Sequence, residues 1–96
     1  MYELRFHRKV DKELEKLPIE VRRKIKKVYF PLLEKDPKSK GKPLSGSLSG
    51  LWRLSFKMIN TEYRIAYEID EKESIVYVLM IGKREKFYDK LKKRFN

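Results

Sequence analysis

Residues 51–88 read Leu51-Trp-Arg-Leu-Ser-Phe-Lys-Met58, Ile59-Asn-Thr61, Glu62-Tyr-Arg-Ile-Ala-Tyr-Glu-Ile69, Asp70-Glu-Lys-Glu73, Ser74-Ile-Val-Tyr-Val-Leu-Met-Ile81 and Gly82-Lys-Arg-Glu-Lys-Phe-Tyr88. Side chains alternate across a strand, so each of the first two long runs has an apolar face and a more polar one. Trp52, Leu54, Phe56 and Met58 oppose Arg53, Ser55 and Lys57; Tyr63, Ile65, Tyr67 and Ile69 oppose Arg64, Ala66 and Glu68. The run ending at Ile81 is apolar on both faces, which predicts a central strand with helical cover. Linkers this short turn a strand back on its neighbour, so the three runs form an antiparallel meander.

Toward the N-terminus, Tyr2, Leu4 and Phe6 alternate with Glu3 and Arg5, the pattern of a half-buried strand. The period then changes. Val10, Leu14, Leu17, Val21, Ile25, Val28 and Leu32 recur at three and four residues, with Lys and Glu on the other face. Pro18 divides this run into a helical hairpin over 8–17 and 19–35, and Pro31 should kink or shorten the second helix. Asp36-Pro-Lys-Ser-Lys-Gly-Lys-Pro43 is a breaker-rich loop, too short to separate domains. A final helix is expected over 85–95. The order predicts a single α+β domain over 1–96: a curved antiparallel sheet, made of the N-terminal strand and the meander, packed on a helical hairpin, with a short C-terminal helix.

Composition bounds the partner. There are 25 Lys plus Arg against 14 Asp plus Glu, a formal charge of +11, which favours polyanions. No apolar run approaches the roughly 20 residues of a membrane span, and residues 1–6 are a charged alternation unlike a signal peptide. A cytoplasmic location is expected. The absence of Cys removes disulfides, thiolate metal sites and cysteine nucleophiles; the absence of Gln beside abundant Lys and Glu is a balance reported for hyperthermophile proteins.

RNA can be cut without metal when its 2′-hydroxyl attacks the adjacent phosphorus. The reaction needs a proton acceptor, a proton donor to the 5′-oxygen, and cations on the developing charge. A histidine pair is impossible, because His7 is the only histidine, at the end of the first strand where a structural role is the ordinary one. The carboxylates are scattered among lysines, so neither a metal site nor a cofactor is predicted. That leaves Arg, Lys and Tyr. Arg53, Lys57 and Arg64 lie on polar strand faces, which equally suit solubility or cross-strand pairing. Arg84 follows the glycine ending the strongest strand, where the helix dipole disfavours a cation, and Tyr88, a residue able to stack on a base, follows one helical turn later. Lys83, Lys86, Lys90, Lys92 and Lys93 extend the positive surface and would meet an RNA backbone electrostatically.

Strand, two helices and a meander ending in Gly82-Lys-Arg-Glu-x-x-Tyr88, with Pro43-Leu-Ser-Gly46 and Leu51-Trp-Arg53 ahead of Tyr63-Arg64, resembles the RelE toxins of the RelE/ParE toxin–antitoxin superfamily over essentially the whole chain. The resemblance implies a ribosome-dependent endoribonuclease that cuts mRNA in the decoding site, leaving a cyclic phosphate and a 5′-hydroxyl. It also implies a RelB-like antitoxin that wraps the toxin, and a toxin–antitoxin heterotetramer. Arg53, Arg64, Arg84 and Tyr88 match active-site positions of the family. Ser55 departs from it, since a lysine proposed as general base falls there in well-known members; Lys57, on the same face about 7 Å along the strand, is the substitute. Two other readings stay open: a ParE-like inhibitor of DNA gyrase, and a basic RNA-binding module without catalysis.

Overall fold

The computed structural model describes residues 1–95. Five strands, β1 (Glu3–Phe6), β2 (Lys42–Pro43), β3 (Leu51–Met58), β4 (Thr61–Asp70) and β5 (Ile75–Lys83), form one sheet in the order β1-β5-β4-β3-β2. The meander is present as expected. Ile59 and Asn60, both at positive φ, make the tight turn between β3 and β4, as a two-residue hairpin with right-handed twist requires.

The sheet is mixed rather than wholly antiparallel, because β1 pairs with β5 in parallel. A tight hairpin dictates an antiparallel partner. The helical hairpin that follows β1 is a crossover and imposes no such direction. As expected, β5 is an interior strand, between β1 and β4, and it is apolar on both faces because helices cover both of its sides. Lys42 and Pro43, expected within a loop, add a short edge strand opposite Arg53 and Trp52.

The hairpin comprises α1 (Val10–Glu15), then α2 (Ile19–Lys24), a π-turn at Ile25–Tyr29 and α3 (Phe30–Lys35) as one continuous helical run. Pro31 accounts for the π-turn. It cannot donate to the carbonyl four residues back and its ring would crowd that carbonyl. The helix widens instead, and Phe30 N–H bonds to the Ile25 carbonyl five residues back. Val10, Leu14, Leu17, Val21, Ile25 and Leu33 pack on Leu54, Phe56, Tyr63, Ile65, Tyr67, Val76, Val78 and Ile81 as the main core.

The other sheet face carries a smaller cluster of Leu48, Ala66, Met80, Phe87 and Leu91 under α4 (Phe87–Phe95). This helix starts two residues later than expected, since Lys86 takes φ 55°, outside the right-handed helical region. One face of the sheet is thus fully covered, and the other only along β5 and its neighbours. The exposed remainder is where polar side chains gather.

Candidate active site

The two-residue period of β3 and β4 sends Arg53, Ser55, Lys57, Glu62 and Arg64 to the side away from the hairpin. Register then aligns them. Ser55 stands opposite Arg64, and Arg64 opposite Gly82; Lys57 stands opposite Glu62, and Arg53 opposite Ala66. A three-strand row of Ser55, Arg64 and Gly82 gives the Arg64 guanidinium no bulky neighbour directly across on β3 or β5, so its partners are Glu62, two residues back on β4, and Tyr88 of α4.

Arg64 Nε donates to Glu62 Oε2 at 3.0 Å, and the pair is mostly shielded, with side chains 13% and 21% exposed. The Arg64 guanidinium lies 5.0 Å from the centroid of the Tyr88 ring, a cation–π contact of roughly 0.5–2 kcal/mol. Arg53 Nη1 donates to Ser55 Oγ at 2.7 Å. The bond from Arg64, the largest influence, outweighs burial and, with the lesser charge effects of Arg64, Arg84 and Lys57, holds the Glu62 carboxyl below the usual carboxylate range. Glu62 is therefore a counter-ion to the cluster and a poor proton acceptor.

Three hollows join along this face. The central one, about 430 Å³, is lined by Arg53, Ser55, Phe56, Lys57, Glu62 and Arg64. Lys57 and Glu62 also border the second, about 790 Å³, which brings in Lys83, Arg84 and Lys86. Arg53 is shared with the third, about 430 Å³, between the Lys42–Leu48 segment, Tyr88 and Lys92. The result is a shallow cationic trough with one aromatic wall. Convergent arginines can hold a phosphate by paired hydrogen bonds, and an exposed ring face can stack a base.

Of the residues singled out by sequence, Arg53, Lys57, Arg64 and Tyr88 border the central hollow or touch a residue that does. Arg84 sits in the adjoining hollow. Its N–H donates to the Glu62 carbonyl at 3.0 Å, extending the ladder by one residue, so Arg84 and Tyr88 do not share a helix face. Lys83, Lys86 and Lys92 rim the trough. Lys90 lies on the opposite flank, beside Glu13, Lys16 and Leu17, and Lys93 is exposed. Trp52 packs toward the main core. His7 is remote from the trough, with Nδ1 accepting the Lys9 N–H at 3.1 Å.

Glu62 and the Lys42–Leu48 wall escaped the sequence reading. Glu62 shares the parity of Arg64 two residues on, a signal that was present; the wall depends on a two-residue strand that has no periodicity to read. Among the described residues no three His, Asp or Glu side chains are grouped as a metal site. No helix among them is long and apolar enough to cross a membrane.

Comparison with known proteins gives concordant matches. The model for the ParE-like toxin of type II bacterial toxin–antitoxin systems matches residues 4–92. Toxin RelG of Mycobacterium tuberculosis is 30% identical over 87 residues, covering 91% of this chain and 95% of that protein. The mRNA interferase toxin RelE of Escherichia coli K12 is 31% identical over 85 residues, covering 88% and 85%. The crystal structure of the RelBE2 toxin–antitoxin complex from M. tuberculosis contains a chain that superposes with a TM-score of 0.77 at 29% identity, covering 86% of this chain and 98% of that one.

Proposed function

Because the chain belongs to the ParE-like toxin family of type II bacterial toxin–antitoxin systems, we propose that it is a cytoplasmic, ribosome-dependent endoribonuclease that stops translation by cutting mRNA in the decoding site. The observation that carries this reading is the row of Arg53, Ser55 and Arg64 on an open sheet face, with Tyr88 against Arg64. In the proposed step the 2′-oxygen attacks the adjacent phosphorus as its proton leaves, the bond to the 5′-oxygen breaks, and that oxygen takes up a proton. The products are a cyclic phosphate and a 5′-hydroxyl.

Arg53 and Arg64 hold the scissile phosphate, and Arg84 stabilises the charge that develops on the leaving side. Lys57, bordering both hollows, is the proposed proton acceptor. One face of Tyr88 is taken by Arg64, so a base stacks on the other. Glu62 restrains Arg64 until a phosphate competes for it. Lys83, Lys86, Lys90, Lys92 and Lys93 supply affinity for RNA without selecting sequence. No cofactor takes part.

The proposed protein partner is a RelB-like antitoxin whose acidic, amphipathic segment folds over the cationic face, in a heterotetrameric complex. The naming of one relative as an mRNA interferase supports the RNA-directed reading, and the likeness to a chain of the RelBE2 toxin–antitoxin complex supports the antitoxin partner. The second reading is a ParE-like inhibitor of DNA gyrase that cuts no RNA, and the set of Arg64, Arg84 and Tyr88 argues against it, because an inhibitor needs no phosphate-cutting cluster. Purified protein added to programmed ribosomes, with mRNA ends mapped, and in parallel to gyrase with supercoiled DNA, separates them. Cleaved mRNA, suppressed by the cognate antitoxin, is the expected result; DNA damage with intact mRNA would favour the gyrase reading, and neither would leave a basic RNA-binding module.

A further inference from the structure

Two side chains far apart in sequence meet on the free edge of β5. The last bond along β1 runs from His7 N–H to the Val78 carbonyl at 2.8 Å, and β5 continues to Lys83 with no strand among the described residues on that side. A strand edge left this way exposes backbone donors and acceptors. Here side chains satisfy them. Glu13 of α1 accepts the Ile81 N–H on Oε1 at 3.1 Å, and Arg94 of α4 donates through Nη1 to the Leu79 carbonyl at 2.7 Å. The two are also bonded to each other, Nη2 to Oε2 at 2.6 Å and Nη1 to Oε1 at 3.3 Å.

This pair is shielded, like Arg64–Glu62 and unlike the two exposed ion pairs among the described residues. Its side chains are 11% and 19% exposed, against 53% and 63% for Arg5 and Glu3, where water and salt weaken the attraction. Its position also matters. At nine residues α4 is too short to persist as an isolated helix, and its buried anchors, Phe87 and Leu91, hold it to the sheet by non-directional apolar contact. The fork of Arg94 adds direction. It grips a fixed backbone carbonyl and a fixed carboxylate about 9 Å along the helix from Tyr88.

We propose that the Glu13–Arg94 clasp is a positioning device that sets the direction of α4 and thereby holds the Tyr88 ring against Arg64. Neither residue borders the trough, so both act through the helix. The effect on cleavage rests on the function proposed above; the effect on the Tyr88–Arg64 contact does not.

The test introduces Arg94→Ala, Arg94→Lys and Glu13→Gln into the parent protein and into a Tyr88→Ala background. It reads three quantities: single-turnover mRNA cleavage on saturating programmed ribosomes, ribosome affinity, and the NMR shift of the Arg64 Nε–H, which the Tyr88 ring current displaces. Arg94→Ala should slow maximal cleavage by on the order of 10-fold, change affinity by less than about two-fold, and return the Arg64 resonance toward its position in Tyr88→Ala. In the Tyr88→Ala background the same change should have little further effect, because the clasp acts through that ring. Arg94→Lys, with its single ammonium, should recover only part of the loss. Should Arg94→Ala fail to fold, Arg94→Lys and Glu13→Gln carry the same comparison. Rate losses that multiply in the Tyr88→Ala background, or an Arg64 resonance indifferent to the clasp, would overturn the proposal. If the parent cleaves no mRNA, the function reading falls and the NMR comparison still decides the clasp.

Discussion

Glu62 Oε2 lies 3.0 Å from Arg64 Nε, and this carboxylate is the one negative side chain among those lining the central hollow. It holds Arg64 in place, and it also repels any phosphate that approaches. Its carboxyl is held below the usual carboxylate range, so it stays charged through mildly acidic conditions.

Replacing Glu62 by Gln should therefore tighten the binding of a short RNA, by about 3- to 10-fold at low salt, and less as salt rises. Maximal cleavage should fall, since Arg64 loses its charged anchor. A titration at two salt concentrations beside single-turnover cleavage checks both, and unchanged RNA affinity would show that Glu62 is not the competitor.

The arginines and the bulk charge should separate cleanly. Arg84→Ala removes a cation assigned to the transition state, so single-turnover cleavage should drop by on the order of 100-fold with little change in ribosome binding. Replacing Lys92 and Lys93 together should weaken binding and flatten its salt dependence while bound mRNA is still cut. An Arg84→Ala protein that cleaves at the parental rate when saturating would remove the catalytic assignment.

Because the proposed chemistry uses no metal, cleavage should survive a strong chelator once the magnesium needs of the ribosome are controlled for. Activity that vanishes and returns only with a trace transition metal would contradict the mechanism.

His7 supplies a pH signature in the fold. Partial burial, then Arg94, Lys9 and Arg8, lowers its pKa against an opposing pull from Glu13, and Nδ1 accepts a backbone N–H, which only the unprotonated nitrogen can do. The folded state thus resists protonation more than the unfolded one, so this stabilisation is present above about pH 6.5 and is lost as pH falls through the lowered value. Thermal melts from pH 7.5 to 5 should show a steeper decline for the parent than for His7→Asn. Parallel curves would mean that His7 titrates alike in both states.

Behind β4, Tyr67 Oη donates to the Pro37 carbonyl at 2.5 Å, pinning the lysine-rich loop to the main core. Gly41 passes so close that a Cβ there would collide with the Tyr67 hydroxyl and crowd the Pro37 carbonyl at 2.9 Å. Gly41→Ala should destabilise by about 1–3 kcal/mol and Tyr67→Phe by a similar amount. The double variant should cost less than their sum, because removing the hydroxyl removes much of the clash. Denaturant midpoints of the four proteins test this, and strict additivity would refute the close approach.

Much of the fold was legible because it is local. The change from a period of two to one of 3.6 after Phe6 separated strand from helices, Pro18 marked the break in the hairpin, and the short linkers at 59–61 and 70–73 implied the meander. The π-turn was legible only as a disturbance at Pro31. A missing N–H forbids one pattern without saying which replaces it. The parallel pairing of β1 with β5 was hidden for a related reason: a crossover constrains direction far less than a tight turn.

By itself the sequence determined which side chains could do chemistry. Arginine and lysine keep their charge in any fold, one histidine and no cysteine exclude whole mechanisms, and strand parity put Arg53 and Lys57 on one face. Tertiary structure decided which of them meet. The register of β3 with β4 set Ser55 against Arg64, the start of α4 at Phe87 brought Tyr88 over Arg64 and left Arg84 in the next hollow, and the short reach of β1 left an edge for Glu13 and Arg94 to close. These pairings depend on where elements end and how they cross. Such choices minimise the free energy of the whole core, so no local pattern records them.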